Sequence, residues 1–230
     1  MKNRIVVTGG AGFIGSNLIK YLLKKTNLKI ISLDNYSTGS KKNHINHKNV
    51  KYIKDENINI SKILKKYTNK INVIFHFGEF SRIYQSFLNT KECINSNIYN
   101  SFEVINFAKD NKIKIIYSAT SSAIGNNGKD QNQSPYAWSK TKNIELIKNY
   151  SKWFGLKYEL VFFYNVYGPN QIMNGPMSAI IGIFESQFKK KKQSINSLKF
   201  YDKKKKIAIY LIGKGYESHL VWEKLRELKE

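Results

Sequence analysis

The sequence predicts an α/β fold, a doubly wound parallel sheet with an incomplete C-terminal region, and three observations predict it. Residues 4–8 are apolar and β-branched, and they pass through a glycine-rich turn at 9–15 into Leu18, Ile19, Leu22 and Leu23 at helical spacing. Strand-like and helix-like patterns then alternate as far as residue 188. Beyond it, two tetralysine runs at 189–192 and 203–206 bracket a stretch with little periodicity.

The elements follow in order. After the first strand and helix, 29–34 reads as a second strand and 35–39 as the polar loop at its end. A third strand covers 50–53, and Ile60, Ile63, Leu64 and Tyr67 mark a short helix. The fourth strand is 72–77, and Ile94, Ile98, Phe102, Ile105 and Phe107 define a helix over 89–108. A fifth strand at 113–118 runs into the hydroxyl-rich turn 119–122. The Gly/Asn/Asp-rich loop 125–134 ends at Pro135, which suits a first helical position, and the helix from there to 153 stops at Gly155. Residues 158–164 form a sixth strand, broken at 165–169, and 177–188 is helical in pattern. In the tail, 207–212 reads as one more strand and 218–229 as an amphipathic helix. The division expected is a dinucleotide-binding domain at 1–188 and an atypical lysine-rich tail at 189–230.

Composition removes several classes of function. The 230 residues carry a net charge of +23, which ordinarily points to nucleic acid. However, only Arg4, Arg82 and Arg226 are arginine, whereas phosphate and base recognition favours the bidentate guanidinium. Lysines scattered among Asn and Ile are what an AT-rich genome produces, so no specific nucleic-acid partner is expected. Cys93 is the lone cysteine, and the four histidines form no ligand pattern, so neither a disulfide framework nor a metal site is expected. The start leads straight into the first strand, and no apolar run approaches a membrane span. A cytoplasmic protein is the expectation.

Two stretches carry chemistry. Gly9, Gly12 and Gly15 suit a tight reversal, a close backbone approach to a pyrophosphate, and close helix–strand packing, and Asp34 closes the next strand at the spacing of a dinucleotide-binding unit. The helix start supplies free N–H groups for the anion. The second stretch holds Tyr136 and Lys140, which share a helix face. A phenol with a reference pKa of about 10 is a poor base at neutral pH, and a nearby ammonium favours its phenolate. With Thr120 able to hydrogen-bond a substrate hydroxyl, these residues make a proton relay for oxidising an alcohol.

On Thr8 to Gly15, Leu33 to Gly39, His76-Phe77-Gly78, Tyr136 with Lys140, and Asn165-Val166-Tyr167-Gly168-Pro169, the chain resembles the extended short-chain dehydrogenases/reductases. Within them it is similar to the NAD-dependent nucleotide-sugar epimerase/dehydratase family, and the likeness covers about residues 4 to 188. The resemblance implies a Rossmann-like fold, NAD as cofactor, and Tyr136 as base. It implies that Lys140 holds the nicotinamide ribose and tunes Tyr136, and that Thr120 stands in place of the catalytic serine or threonine. Gly9, Gly12, Phe13, Ile14, Gly15, Asn35, Ser37, Thr38, Gly39, Phe77 and Gly78 fall at cofactor-binding positions. Asp34 would bind the adenosine ribose, favouring NAD over NADP, and Asp55 or Glu56 would meet adenine. Asn165 would touch the substrate's diphosphate. The reaction implied is epimerisation of a UDP-sugar at C4 through a 4-keto intermediate. Sugar-nucleotide dehydrogenation or reduction, and an inactive NAD-binding remnant, are the alternatives, and a homodimer is the expected assembly.

Departures from the family pattern matter as much. Ser121 and Ser122 stand where dehydratases of the family place an Asp-Glu pair, which disfavours loss of water. Gly78 and Glu79 replace two alanines, with Arg82 close behind, so Glu79 and Arg82 either contact substrate or pair with each other. The portion that completes the substrate domain in relatives is not recognisable after 189, and a lysine run in an AT-rich gene is a place where reading frames slip. The tail is therefore expected to be a frameshifted or truncated remnant.

Overall fold

The computed structural model describes residues 2–173, 175–178, 180–194, 200–213 and 217–226. These fall into two compact units, Met1–Gln171 and Ile172–Glu230.

The first unit is built on six parallel strands: β1 (Arg4–Thr8), β2 (Lys29–Asp34), β3 (Val50–Lys54), β4 (Ile71–His76), β5 (Lys114–Thr120) and β6 (Tyr158–Phe163). Their spatial order is β3-β2-β1-β4-β5-β6, all neighbours parallel. The chain reverses its direction of winding between β1 and β4, and in such sheets the crevice beyond the strands' C-terminal ends at that reversal holds the ligand. The six strands predicted within residues 1–188 are all present.

Strand alternation sends side chains to opposite faces. On one face Val6, Ile31, Leu33, Ile74, Ile115 and Tyr117 pack against the helices α2 (Ile60–Leu64), α5 (Ser101–Asp110) and α6 (Pro135–Phe154) in the larger core. On the other, Ile5, Val7 and Ile30 meet Ile19 and Leu22 of α1 (Phe13–Lys25). Further along this face, Phe75, Ile116, Val161 and Phe163 line an apolar cavity of about 430 Å³.

The helix expected over 89–108 is present from Thr90 to Asp110, with a wide turn inside it. It comprises α4 (Thr90–Ile94), a wide turn at Asn95–Asn100 and α5, and a short helix not foreseen from sequence, α3 (Ile83–Leu88), precedes it. Wide turns of this kind occur at functional sites, and this one places Asn97 and Ser101 in the buried interior. Helix α6 starts where its signals say. The Ser134 hydroxyl accepts the Ala137 N–H at 3.0 Å, Pro135 holds the first position, and Gly155 closes the helix in the left-handed region at φ 69°.

The second unit contains α7 (Ile180–Ser194), α8 (Phe200–Ile212) and α9 (Ser218–Arg226). The change in composition at 189 falls inside α7, which runs through it. Residues 207–212, expected as a strand, are helical: Ile207, Ala208 and Leu211 share one side and pack with Val221 and Leu225 of α9. A short apolar run has no period long enough to separate strand from helix, and here the spacing of the buried positions decides it. The part of the expected terminal helix at 227–229 and the link at 195–199 lie outside the described residues.

Candidate active site

The glycine turn forms the floor of the crevice. Gly9 has φ +69°, and a Cβ there would come within 2.8 Å of Gly78, so the ends of β1 and β4 touch through backbone alone. A Cβ on Gly15 would fall 2.2 Å from the Gly9 carbonyl oxygen, and one on Gly12 3.2 Å from it. Gly12 precedes α1 in extended conformation, and neither a capping side chain nor an acidic first-turn residue covers the helix start. The helix start at Phe13, Ile14 and Gly15 therefore has the form that suits an anion.

Asp34 organises the next wall. It is 7% exposed, and its two oxygens accept the Ala11 N–H at 2.9 Å and the Tyr36 N–H at 2.8 Å. Ser40 N–H and the Asn43 amide both donate to Ala11 O, so the loop holding Asn35, Ser37, Thr38 and Gly39 wraps the turn. Asn35, Ser37 and Thr38 are exposed at its rim. Asp55 N–H donates to Asp34 O, but the Asp55 carboxylate accepts from Glu56 N–H and the Asn59 amide. Glu56 accepts from the Asn35 and Asn100 amides at 3.1 Å each. Both acids thus lie beside the Asp34 loop, with Asp55 committed to its own turn. Together the cradle of glycines and the Asp34 carboxylate at the end of β2 fit a dinucleotide.

At the other end of the crevice stands a buried polar cluster that sequence reasoning saw only in part. Lys140 and Glu79 form an ion pair with side chains 4% and 2% exposed. The Glu79 carboxylate also accepts from Ser101 Oγ at 2.9 Å, Tyr117 OH at 2.8 Å, Ser118 Oγ at 3.1 Å and Asn143 Nδ2 at 3.2 Å. Lys140 Nζ donates to Ser118 Oγ at 3.0 Å and lies 4.5 Å from the Tyr117 ring centre. Burial by itself pushes the Glu79 carboxyl up, but Lys140, His76 and the hydrogen bonds from Lys140 and Tyr117 overcome it and hold the group below its ordinary value. Burial and the Glu79 charge push the Tyr117 phenol well up, so it serves as a neutral donor.

This cluster corrects one expectation. Glu79 faces inward with both carboxylate oxygens engaged, and its ionic partner is Lys140, not Arg82. The reason is coordination: a carboxylate that can collect five donors in a dry pocket is far better compensated there than beside one surface guanidinium. Arg82 caps α3, half-buried. Burial pulls its guanidinium below the usual value, and Tyr136 counteracts that, which places it near the tyrosine.

Tyr136 is half-buried on α6 one turn before Lys140, and its N–H donates to Ser86 Oγ at 3.2 Å. Thr120 is 3% exposed at the end of β5, where its hydroxyl accepts the Ser122 N–H. No hydrogen bond joins Thr120 to Tyr136 among the described residues. Asn165 is exposed in the loop after β6, which α1 anchors through Asn17 Nδ2 to Pro169 O at 2.7 Å. Phe77 and Gly78 follow β4, their N–H groups donating to Thr8 Oγ1 at 3.1 and 3.0 Å.

Thr8, His76, Ser101, Ser118 and Asn143 are site residues that the sequence reading missed. Asn143 follows Lys140 at i+3 on the same helix face, a signal that was available. Ser101 gives none, because its contacts come from strands and loops far away in sequence. Among the described residues no group of His, Cys, Asp or Glu is arranged to hold a metal, and no helix is long and apolar enough to cross a membrane.

A doubly wound sheet with a glycine turn at its reversal, flanked by a helix carrying Tyr136 and Lys140, has the form of a dinucleotide-binding domain. The chain belongs to the NAD dependent epimerase/dehydratase family, whose model matches residues 5–214. It is 32% identical over 193 residues to an ADP-L-glycero-D-manno-heptose-6-epimerase of Brachyspira hyodysenteriae, covering 76% of this chain and 58% of that protein. It is 32% identical over 195 residues to a dTDP-D-glucose 4,6-dehydratase of Dictyostelium discoideum, covering 73% and 45%. Among solved structures it resembles a UDP-N-acetylglucosamine 4-epimerase from Methanobrevibacter ruminantium M1, in complex with UDP-N-acetylmuramic acid. That match has TM-score 0.72 and 31% identity, over 81% of this chain and 63% of that one. The chain therefore spans roughly half to two thirds of these relatives' length.

Proposed function

We propose that this chain carries the NAD-binding and proton-transfer apparatus of a UDP-sugar 4-epimerase. The observation that carries the reading is the placement of Tyr136 and Lys140 on one face of α6, with Lys140 bonded to Ser118 at the end of β5, beside the glycine crevice. Gly9, Gly12, Gly15 and the α1 start would hold the pyrophosphate, and Asp34 and its loop the adenosine ribose. Bound there, NAD would supply a reversible acceptor for the hydride of C4, taken up with its electron pair and returned to the opposite face of the same carbon. Tyr136 takes the proton of the 4-hydroxyl as the C4–H bond breaks, leaving a 4-keto sugar. After the sugar turns, Tyr136 returns the proton to the reformed 4-hydroxyl of opposite configuration. Thr120 supports the reacting oxygen, and the protein's contribution is positioning and electrostatic stabilisation. Ser121 and Ser122 offer no carboxylate for elimination of water, which favours epimerisation over dehydration.

Incubation with NAD and a panel of UDP-sugars, followed by product analysis, tests this. Interconversion of 4-epimers without net NADH is expected, and net NADH would indicate a dehydrogenase instead. A second reading is a cofactor-binding remnant. It predicts NAD binding in calorimetry with no UDP-sugar binding at all.

We also propose a cytoplasmic homodimer. Its support is the apolar strip in which Tyr99, Phe102 and Trp138 are 59%, 39% and 39% exposed on neighbouring helical segments. Light scattering at twice the mass of 26.7 kDa is the expected result.

A further inference from the structure

The polar cluster around Glu79 extends beyond the ion pair. The Phe77 and Gly78 N–H groups donate to Thr8 Oγ1, Thr8 Oγ1 meets His76 Nδ1 at 2.7 Å, and His76 Nε2 meets Ser101 Oγ at 2.9 Å. Ser101 Oγ donates to Glu79, which holds Lys140. Both ends of this chain of bonds fix its direction. Amide N–H groups can only donate and an ionised carboxylate can only accept. The Thr8 hydrogen is therefore directed at His76 Nδ1, the imidazole proton sits on Nε2, and the Ser101 hydrogen points at Glu79. Four of the five side chains, Thr8, His76, Ser101 and Lys140, are 3% exposed or less, and Glu79 is 2% exposed at its side chain, so water does not compete with the order.

We infer that Glu79 is a positioning residue: it fixes the place of Lys140 in the Tyr136/Lys140 pair and, through Ser101 and His76, ties that place to Thr8 at the mouth of the glycine turn. The line begins one residue before Gly9, the floor of the cofactor crevice, and ends on the ammonium beside the reacting tyrosine. It makes the two ends of the crevice one mechanical unit, in which a change at the turn is felt at Lys140. Burial lowers the His76 pKa to about 4, with Glu79 raising it and Lys140 lowering it in smaller measure, so the ring is neutral at physiological pH and carries the single proton the line needs.

The inference rests on reading Lys140 as the residue that meets the cofactor ribose, and the test separates the two. NAD affinity is measured by calorimetry for the parent, Glu79→Gln, Lys140→Met and the double variant. Each single variant is expected to weaken NAD about tenfold, and the double variant no more than about twofold beyond the worse single one. Additive losses, or a Glu79→Gln variant that binds NAD like the parent, would overturn it. Nitrogen-15 NMR of the imidazoles supplies the second readout. His76 is expected in the Nε2–H tautomer in the parent, and Ser101→Ala, which removes the acceptor of that proton, is expected to shift the Nε2 resonance while Ser101→Thr leaves it in place. A parent His76 protonated on Nδ1 overturns the inference even if Glu79→Gln does not fold. Coupled NAD losses in a protein without turnover would sink the epimerase reading and leave this one standing. Additive losses in an active enzyme would do the reverse.

Discussion

Two buried carboxylates bracket the crevice, and they are satisfied in opposite ways. Asp34 is met by main-chain N–H groups from Ala11 and Tyr36, 23 and 2 residues away. Glu79 is met by side chains of Ser101, Tyr117, Ser118, Lys140 and Asn143, from 22 to 64 residues away and from three elements. The first carboxylate shapes a loop; the second locks α5, β5 and α6 together around a charge. Asp34 is thus a local device that should matter most to ligand affinity, whereas Glu79 is a global one that should matter to folding as well as to the placing of Lys140.

Removing each carboxylate is the sharpest way to break that contrast. Glu79→Ala strands the Lys140 ammonium in a dry site and is expected to cost about 3–5 kcal/mol in urea unfolding. Asp34→Ala removes two charge-assisted bonds to backbone and is expected to cost about 1.5–3 kcal/mol. Equal costs, or the reverse order, would end the comparison.

Acid comes next in size. His76 has a folded pKa of about 4 against an unfolded value near 6.5, so the unfolded chain binds the proton first as pH falls. The stability due to its neutral ring is complete above about pH 6.5 and is lost between there and about pH 4, roughly 3 kcal/mol in all. Glu79, whose carboxyl is held low, adds a further loss below its own unfolded range. Urea titrations across this window should show the slope, and His76→Gln should flatten its upper part.

Smaller effects belong to the Asp34 end. Asp34→Asn is expected to weaken NAD about tenfold and to narrow the preference over NADP, read by calorimetry with both cofactors. Least is expected of Gly39→Ala. Its Cβ would stand 2.8 Å from Asp34 Oδ1, so NAD affinity should fall a few-fold while the melting temperature moves by no more than about 4 °C.

The same contrast explains what the sequence made legible. The strand–turn–helix at 4–25, the cap and stop of α6 at Ser134 and Gly155, and all six strands carry their signals within a few residues. Asp34 could be found for the same reason. Glu79 could be noticed as a departure from two alanines, but its partner could not, because Lys140 lies 61 residues on and only the packed sheet brings the two together. Arg82 was the nearer candidate in sequence and the wrong one in space. The wide turn at Asn95–Asn100 was equally hidden, since the apolar positions continue a helical period through it. In the tail, 207–212 had strand composition, and only its packing partners in α9 reveal the helix.

The order of the sheet has one more result. β3 and β2 on one side, and β4, β5 and β6 on the other, are hydrogen-bonded to each other only by way of β1. The five residues Arg4–Thr8 are therefore a seam: cutting them out would leave two separate ribbons, with Asp34 on one and Glu79 on the other. Hydrogen exchange should accordingly find the slowest amides of the first unit in this short strand.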